Sequence, residues 1–260
     1  MKRINLLFLL LIVFLCFVGK SYAKEEWKEY KTHHFIIYYK DAPRDFIENI
    51  EEFAEKYYTE IAHNLGFTRY QNWTFDDRAK IYVYKNQDDY IKSAKQSSWS
   101  HGIAEIRKKI IRTFPSAHGF FDSTLPHELG HIIFREFVGY SSDIPLWMDE
   151  GIAMFQEKAK RWGAHEEVRK AMEEERFIPL MDLTKMKLTR KTKRETIELY
   201  YAQAASVVYY MIKELGEYKF VRFCRELKKG TKFERALESV YVRIHSIEDL
   251  NKLWVRYLQD

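Results

Sequence analysis

Thr124-Leu-Pro-His-Glu-Leu-Gly-His131, read together with Pro145-Leu-Trp-Met-Asp-Glu-Gly-Ile-Ala153, is the stretch that decides the fold. Its first part contains His-Glu-x-x-His. On a helix, residues four apart lie one above the other on one face. His127 and His131 therefore aim two imidazoles at one point, and two fixed imidazole nitrogens are half of a tetrahedral zinc site. Glu128, one residue on, projects to the side. There it reaches a water beside the metal rather than the metal itself, which is the place of a general base. The apolar Ile132-Ile-Phe after the motif suits a buried helix, and Ser123 or Thr124 can cap its start.

A catalytic zinc needs a third protein ligand and an open position. Glu150 is the candidate. Eighteen residues separate it from His131, room for the rest of the first helix, a turn around Gly139-Tyr-Ser-Ser142 and the start of a second helix near Pro145. Proline is well placed in a first helical turn. An antiparallel helix pair would return Glu150 to the two histidines.

These residues resemble a known family. His127-Glu-x-x-His131, the eighteen-residue spacing and Trp147-x-x-Glu150-Gly-x-Ala153 look like the gluzincin metallopeptidases. The Trp-x-x-Glu-Gly box is similar to aminopeptidase N-like enzymes, and the short chain to the small peptidase MA-like domain proteins. The likeness is tight over residues 121 to 157 and looser over 30 to 258. It implies one Zn2+ per chain, held by His127, His131 and Glu150, with Glu128 activating water. It also implies an edge strand before the zinc helix that binds substrate by strand addition; Gly102, Ile103 and Ala104 are the residues expected there. Finally, it implies a tyrosine that donates to the developing oxyanion. Tyr201 fits the family's Tyr-x-Gln pattern, with Tyr200 as the alternative.

The amino terminus carries an address. Met1-Lys-Arg precedes an apolar run from Ile4 to Val18, and Ser21-Tyr-Ala23 supplies small residues for cleavage. This reads as a secretory signal peptide over residues 1–23, which makes the mature protein secreted, periplasmic or otherwise extracytoplasmic. An uncleaved membrane anchor is the alternative, although the run is short for a span of roughly twenty residues. Cys16 comes after Leu15 rather than a small residue, which argues against a lipoprotein site. Removing Lys2, Arg3 and Lys20 takes the formal charge from +5 to +2, so the basic balance gives little support to a nucleic-acid partner. Only Cys224 then remains, and a disulfide within the chain is excluded. The core must hold the fold, and 46% hydrophobic residues with 18 Tyr and 18 Phe make that feasible. Asn72-Trp-Thr74 matches a glycosylation acceptor, meaningful only in a eukaryotic secretory route.

Along the chain, His33–Tyr39 and Ala79–Tyr84 read as strands, with His33 and His34 at the surface. Pro43 to Gly66 has helical spacing, ended by the glycine. Gln87 to Lys95 is a short helix. Gly102–Ile106 and Lys109–Thr113 are two short strands forming a hairpin across Arg107-Lys108. His118 is expected in a surface loop and is not a ligand candidate. After Glu150 everything reads as helical. The second active-site helix should reach about Trp162. His165 to Arg176 should be a solvated helix, and Phe177–Leu183 a linker. The basic run Lys185 to Arg194 reads as an exposed loop. A long helix should run from Glu198 to Leu215-Gly216. Thr231-x-x-Glu234 and Ser246-x-x-Asp249 resemble capping boxes, and Trp254 and Leu258 are core candidates.

The expected architecture is α+β: a gluzincin-like metallopeptidase domain over residues 24–258. A small amino-terminal mixed sheet plus the active-site helix (24–137) precedes an all-helical half (138–258), with the zinc site in the cleft between. The expected partner is a peptide or protein substrate, cut internally. An aminopeptidase would need an acidic anchor for a free amine, and Gly102-Ile-Ala-Glu-Ile106 matches the corresponding family strand only at Gly102 and Glu105. A catalytically silent binding protein and a hydrolase of a non-peptide amide in cell-wall material are the other readings.

Overall fold

The computed structural model describes residues 26–67, 73–94, 102–140, 143–189 and 191–260. The expected signal segment, Asn72, Lys95, Ser141, Ser142 and Arg190 lie outside them. Among the described residues no helix is long and apolar enough to cross a membrane.

The first half is a five-stranded mixed sheet. β1 (Lys28–Lys31) pairs antiparallel with β2 (Phe35–Tyr39), which pairs parallel with β3 (Ala79–Val83). β3 pairs parallel with β5 (Ile110–Thr113), and β4 (Ile103–Glu105) closes the far edge antiparallel to β5. Period-two alternation drives this: Phe35, Ile37, Ala79, Ile81, Val83 and Ile111 all face inward and are fully buried. Helix α1 (Arg44–Asn64) covers that face with Ile47, Ile50, Ala54, Tyr57 and Ile61. Helix α2 (Gln87–Ala94) adds Tyr90.

The β4–β5 hairpin turns through Ile106–Lys108, as the sequence suggests, and Lys109 completes it in the left-handed region at φ 53°. A non-glycine residue there carries strain. Lys109 is fixed in place by its ammonium, 3.2 Å from Glu136 and over the Trp73 ring.

From Phe114 onward the described residues form helices and their connections, with no strand. The helices are α3 (Leu125–Val138), α4 (Leu146–Gln156), α5 (Lys158–Glu173), α6 (Leu180–Lys185), α7 (Arg194–Tyr209), α8 (Glu217–Lys228), α9 (Phe233–Val240) and α10 (Ile247–Gln259). Helix α7 continues through a π-helical turn to Glu214, so the long helix ends about where expected but begins at Arg194 rather than Glu198. Trp254 and Leu258 are core, and Cys224 is fully buried with its thiol pushed up by that burial.

Several local expectations are corrected. Neither Ser123 nor Thr124 caps α3; a π-helical turn over Phe120–Thr124 feeds directly into it, and Ser123 bonds Glu157 instead. Helix α4 stops at Gln156, short of Trp162, because Glu157 takes an extended conformation before α5 begins. The Phe177–Leu183 linker contains the first turn of α6. The basic run already enters α7 at Arg194. Thr231 does not cap α9; Glu234 accepts from the Ile247 N–H of the neighbouring helix. Ser246 does cap α10, accepting from Asp249 N–H, but Asp249 returns its bond to His245 N–H. His34 is partly enclosed, paired with Glu55 at 2.5 Å and stacked on Tyr58.

His165 departs most from a solvated helix. Its Nδ1 lies 2.7 Å from Ser206 Oγ, which also accepts from Trp254 Nε1, and its ring packs on Tyr209 and Tyr257. Burial, then the Arg169 charge, lowers its pKa from 6.5 to about 4. A depressed histidine is neutral in the fold while the unfolded chain takes up a proton first. Its contribution is therefore intact above about pH 6.5 and lost as pH falls towards 4. A thermal-melting series across that window should show falling Tm, and His165→Phe should flatten part of the decline.

Candidate metal centre

Two helices and two close approaches build the site. Helix α3 places His127 and His131 one turn apart, and α4 returns Glu150 beside them, as expected from the spacing. Their approach depends on glycine. A Cβ on Gly130 would sit 3.1 Å from Ala153 Cα, so α3 and α4 meet almost backbone to backbone. A Cβ on Gly151 would sit 2.3 Å from the Ala204 carbonyl oxygen, so α4 lies directly on α7.

The donor atoms converge. His127 Nε2 and His131 Nε2 are 3.2 Å apart, and each is 3.7 Å from Glu150 Oε2. A tetrahedral ion with bonds of about 2.0–2.1 Å holds its ligands roughly 3.3 Å apart. Two imidazoles and a carboxylate at these separations fit such an ion, and the three residues together could hold a metal.

Each imidazole is steered by a carboxylate that sequence reading does not single out. His127 Nδ1 lies 2.9 Å from Glu157 Oε1. That carboxylate also receives Ser123 and, at 2.8 Å, the Lys160 ammonium. His131 Nδ1 lies 3.5 Å from Asp149 Oδ1, a charge contact slightly too long for a formed hydrogen bond. Asp149 Oδ2 accepts two bonds from Arg135, at 3.0 and 3.1 Å. Burial favours the neutral form of both carboxyls, but their cationic and hydrogen-bonding neighbours outweigh it and hold them below the usual carboxylate range. Burial likewise opposes a charge on His131, and Asp149 with Glu150 and Glu128 overcomes it. With Nδ1 of each ring facing an anion, the Nε2 lone pairs turn inward to the centre. The only signals in the sequence are that Asp149 adjoins Glu150 and that Glu157 ends the motif region.

Such outer partners typically matter by a factor of about 10–100 in metal affinity. Glu157→Gln should weaken the metal by about that factor in a chelator competition. An unchanged affinity would mean that something other than Glu157 orients His127.

Glu128 projects sideways from α3 towards β4, with the Ala104 N–H facing its carboxylate. Burial raises its pKa, with His127 and His131 offsetting part of the effect. Ala104 belongs to the edge strand of the sheet. Beside it, Gly102 has no room for a side chain, since a Cβ would sit 2.7 Å from Thr124 Cγ2. Ile103 and Ala104 pair with Arg112 and Ile111 on their inner side, and β4 is the sheet edge. Glu105 is held by two cations, Lys108 at 2.8 Å and Arg112 at 2.6 Å.

The two tyrosines differ. Tyr200 is fully buried and its hydroxyl has no partner among the described residues. Tyr201 is partly open and shares a groove wall with His127. Burial, then the Glu150 charge, raises both, with Tyr201 reaching about 12, so both stay protonated donors at neutral pH. His118 is exposed and stands apart from the three donors.

A family model described as the peptidase MA superfamily matches residues 71–260, well over half of the chain and all of the elements that build this centre. No curated protein matches the chain.

Proposed function

The chain belongs to the peptidase MA superfamily, and from that premise we propose that it is a gluzincin-type zinc metallopeptidase that cuts peptides or proteins internally. The observation that carries the reading is the convergence of His127, His131 and Glu150 at tetrahedral spacing, with Glu128 beside them. Zinc, when bound, polarises a carbonyl and acidifies water. Glu128 accepts the proton of the attacking water and delivers it to the leaving amine. The Tyr201 hydroxyl donates to the oxygen on which negative charge develops. The β4 edge, through Gly102, Ile103 and Ala104, aligns the substrate as an added strand. The amino-terminal segment, cleaved near Ala23, sends the mature enzyme out of the cytoplasm; retained, it serves as a membrane anchor.

Internal cleavage is favoured because Glu105, the residue best placed in sequence to capture a free amine, already has its charge met by Lys108 and Arg112. A positioned anion without such partners is what amine recognition needs.

The test combines metal and activity. Elemental analysis should find about one zinc per chain, since three ligands define one site. The double variant His131→Ala with Glu150→Ala should lose it, and a chelator should stop cleavage of a peptide library. Matched peptides with free and acetylated amino termini should be cut at similar rates, because acetylation removes only the charge. Zinc that survives the double variant sinks the ligand set. Cleavage restricted to free amino termini, one residue at a time, sinks the endopeptidase assignment.

A further inference from the structure

A groove of about 360 Å³ has His127, one of the three donor residues, in its wall. Met154 at the end of α4, Ala164 on α5, and Ala202 with the Tyr201 ring on α7 give it apolar sides. Charged residues occur only at the exposed rim, and two of the three are already paired. Lys160 is 2.8 Å from Glu157, and Glu198 is 2.7 Å from Arg194. Glu167 is exposed and makes no ion pair among the described residues. A solvated carboxylate of that kind adds little attraction for a cation. The volume is near the lower end for ligand pockets, which suits one large side chain rather than a run of residues.

The remaining wall residue is Gly163, and a Cβ there would meet nothing within 4 Å. It lies inside α5 with no positive φ, so any good helix former is tolerated at that point. The space it leaves is therefore open groove and not a backbone crossing.

From the sharing of His127 between the donor cluster and the apolar groove, we infer that the groove receives the side chain of the substrate residue flanking the cleaved bond and selects large apolar side chains. Gly163 keeps it deep. The inference rests on the peptidase reading above. The occupant is adjacent to the donor cluster because the same imidazole borders both, and a large apolar group is the one that the Met154, Ala164, Tyr201 and Ala202 surfaces desolvate favourably.

The experiment profiles the full chain, loaded with zinc, against peptides that differ only at the residue flanking the cut: Phe, Leu, Ala, Lys or Arg. The expected result is a kcat/KM for Phe or Leu on the order of 10-fold or more above Ala, since small differences in apolar pocket contact are worth about that much. Gly163→Leu, and separately Ala202→Met, should shrink that ratio by a similar factor with zinc content retained. Gly163→Leu favours the helix and Ala202→Met changes its propensity only slightly, so a melting curve close to or above the wild type separates filling from unfolding. A preference for Lys or Arg, no preference, or a Phe-to-Ala ratio unmoved by either variant overturns the inference while leaving the peptidase reading intact. Zinc-loaded protein that cuts no peptide overturns that reading, and this inference with it.

Discussion

Glu128→Gln should keep about one zinc per chain and turn over on the order of 100 to 10,000 times more slowly. The size of the effect comes from its chemistry. The amide is nearly the same shape as the carboxylate but cannot take up a proton. Its position makes the substitution clean, because Glu128 projects from α3 towards the Ala104 N–H rather than into the three-donor cluster. With its shape nearly unchanged, the side chain leaves β4 in place. The loss should appear in kcat more than in KM, since a base acts on the reacting proton and not on the bound peptide. Stopped-assay kinetics alongside metal analysis decide the matter. Turnover within a few-fold of the wild type, in a variant that still holds zinc, would show that another group accepts the proton.

The second large effect is expected at Gly151, a position with no chemistry. Intrinsic helix propensity favours alanine over glycine by about 1 kcal/mol. Inside α4 the opposite outcome is expected, because a Cβ there would lie 2.3 Å from the Ala204 carbonyl oxygen and 2.7 Å from Val208 Cγ2. A backbone carbonyl cannot rotate away as a side chain can, so α4 and α7 must separate. Overpacking of this kind costs about 1–3 kcal/mol, or more where backbone must move. For a chain of this size that is several degrees in Tm. Glu150 is the preceding residue, so the same displacement should loosen the donor set and weaken metal binding. Gly163→Ala is the control, since its Cβ enters open space and only the propensity gain remains. Melting temperatures of the pair, with zinc affinity, test the argument. Equal stability of Gly151→Ala and the wild type, with zinc affinity retained, would mean that the contact between α4 and α7 is not tight.

By itself, the amino-acid sequence determined the features that short-range periodicity dictates. His127 and His131 share a face because a helix repeats every 3.6 residues, and Glu128 points elsewhere for the same reason. The inner strands announce themselves through alternation, as in Phe35 and Ile37 or Ala79, Ile81 and Val83. The β4–β5 hairpin is legible as two short apolar runs around Arg107-Lys108. β1 is not legible, because Lys28–Lys31 is exposed along its whole length and shows no alternation; only pairing with β2 makes it a strand.

Tertiary structure decided the rest, because the remaining partners are distant in sequence. Glu157 reaches His127 only because α4 breaks after Gln156 and turns that carboxylate back across α3. Asp149 reaches His131 only at the crossing that Gly130 permits, and Arg135 fixes it from the other helix. Ser123 and Glu234 look like capping residues locally, yet each spends its side chain on another helix, where Ser123 meets Glu157 and Glu234 meets Ile247. A local signal offers a hydrogen bond, and the packed chain supplies competing partners. The charged residues around His165 point to solvent, but one side of α5 is sealed by Ser206, Tyr209 and Tyr257 from α7 and α10. Charge patterning describes the exposed face of a helix; which residues lie on the other face depends on the helices packed against it.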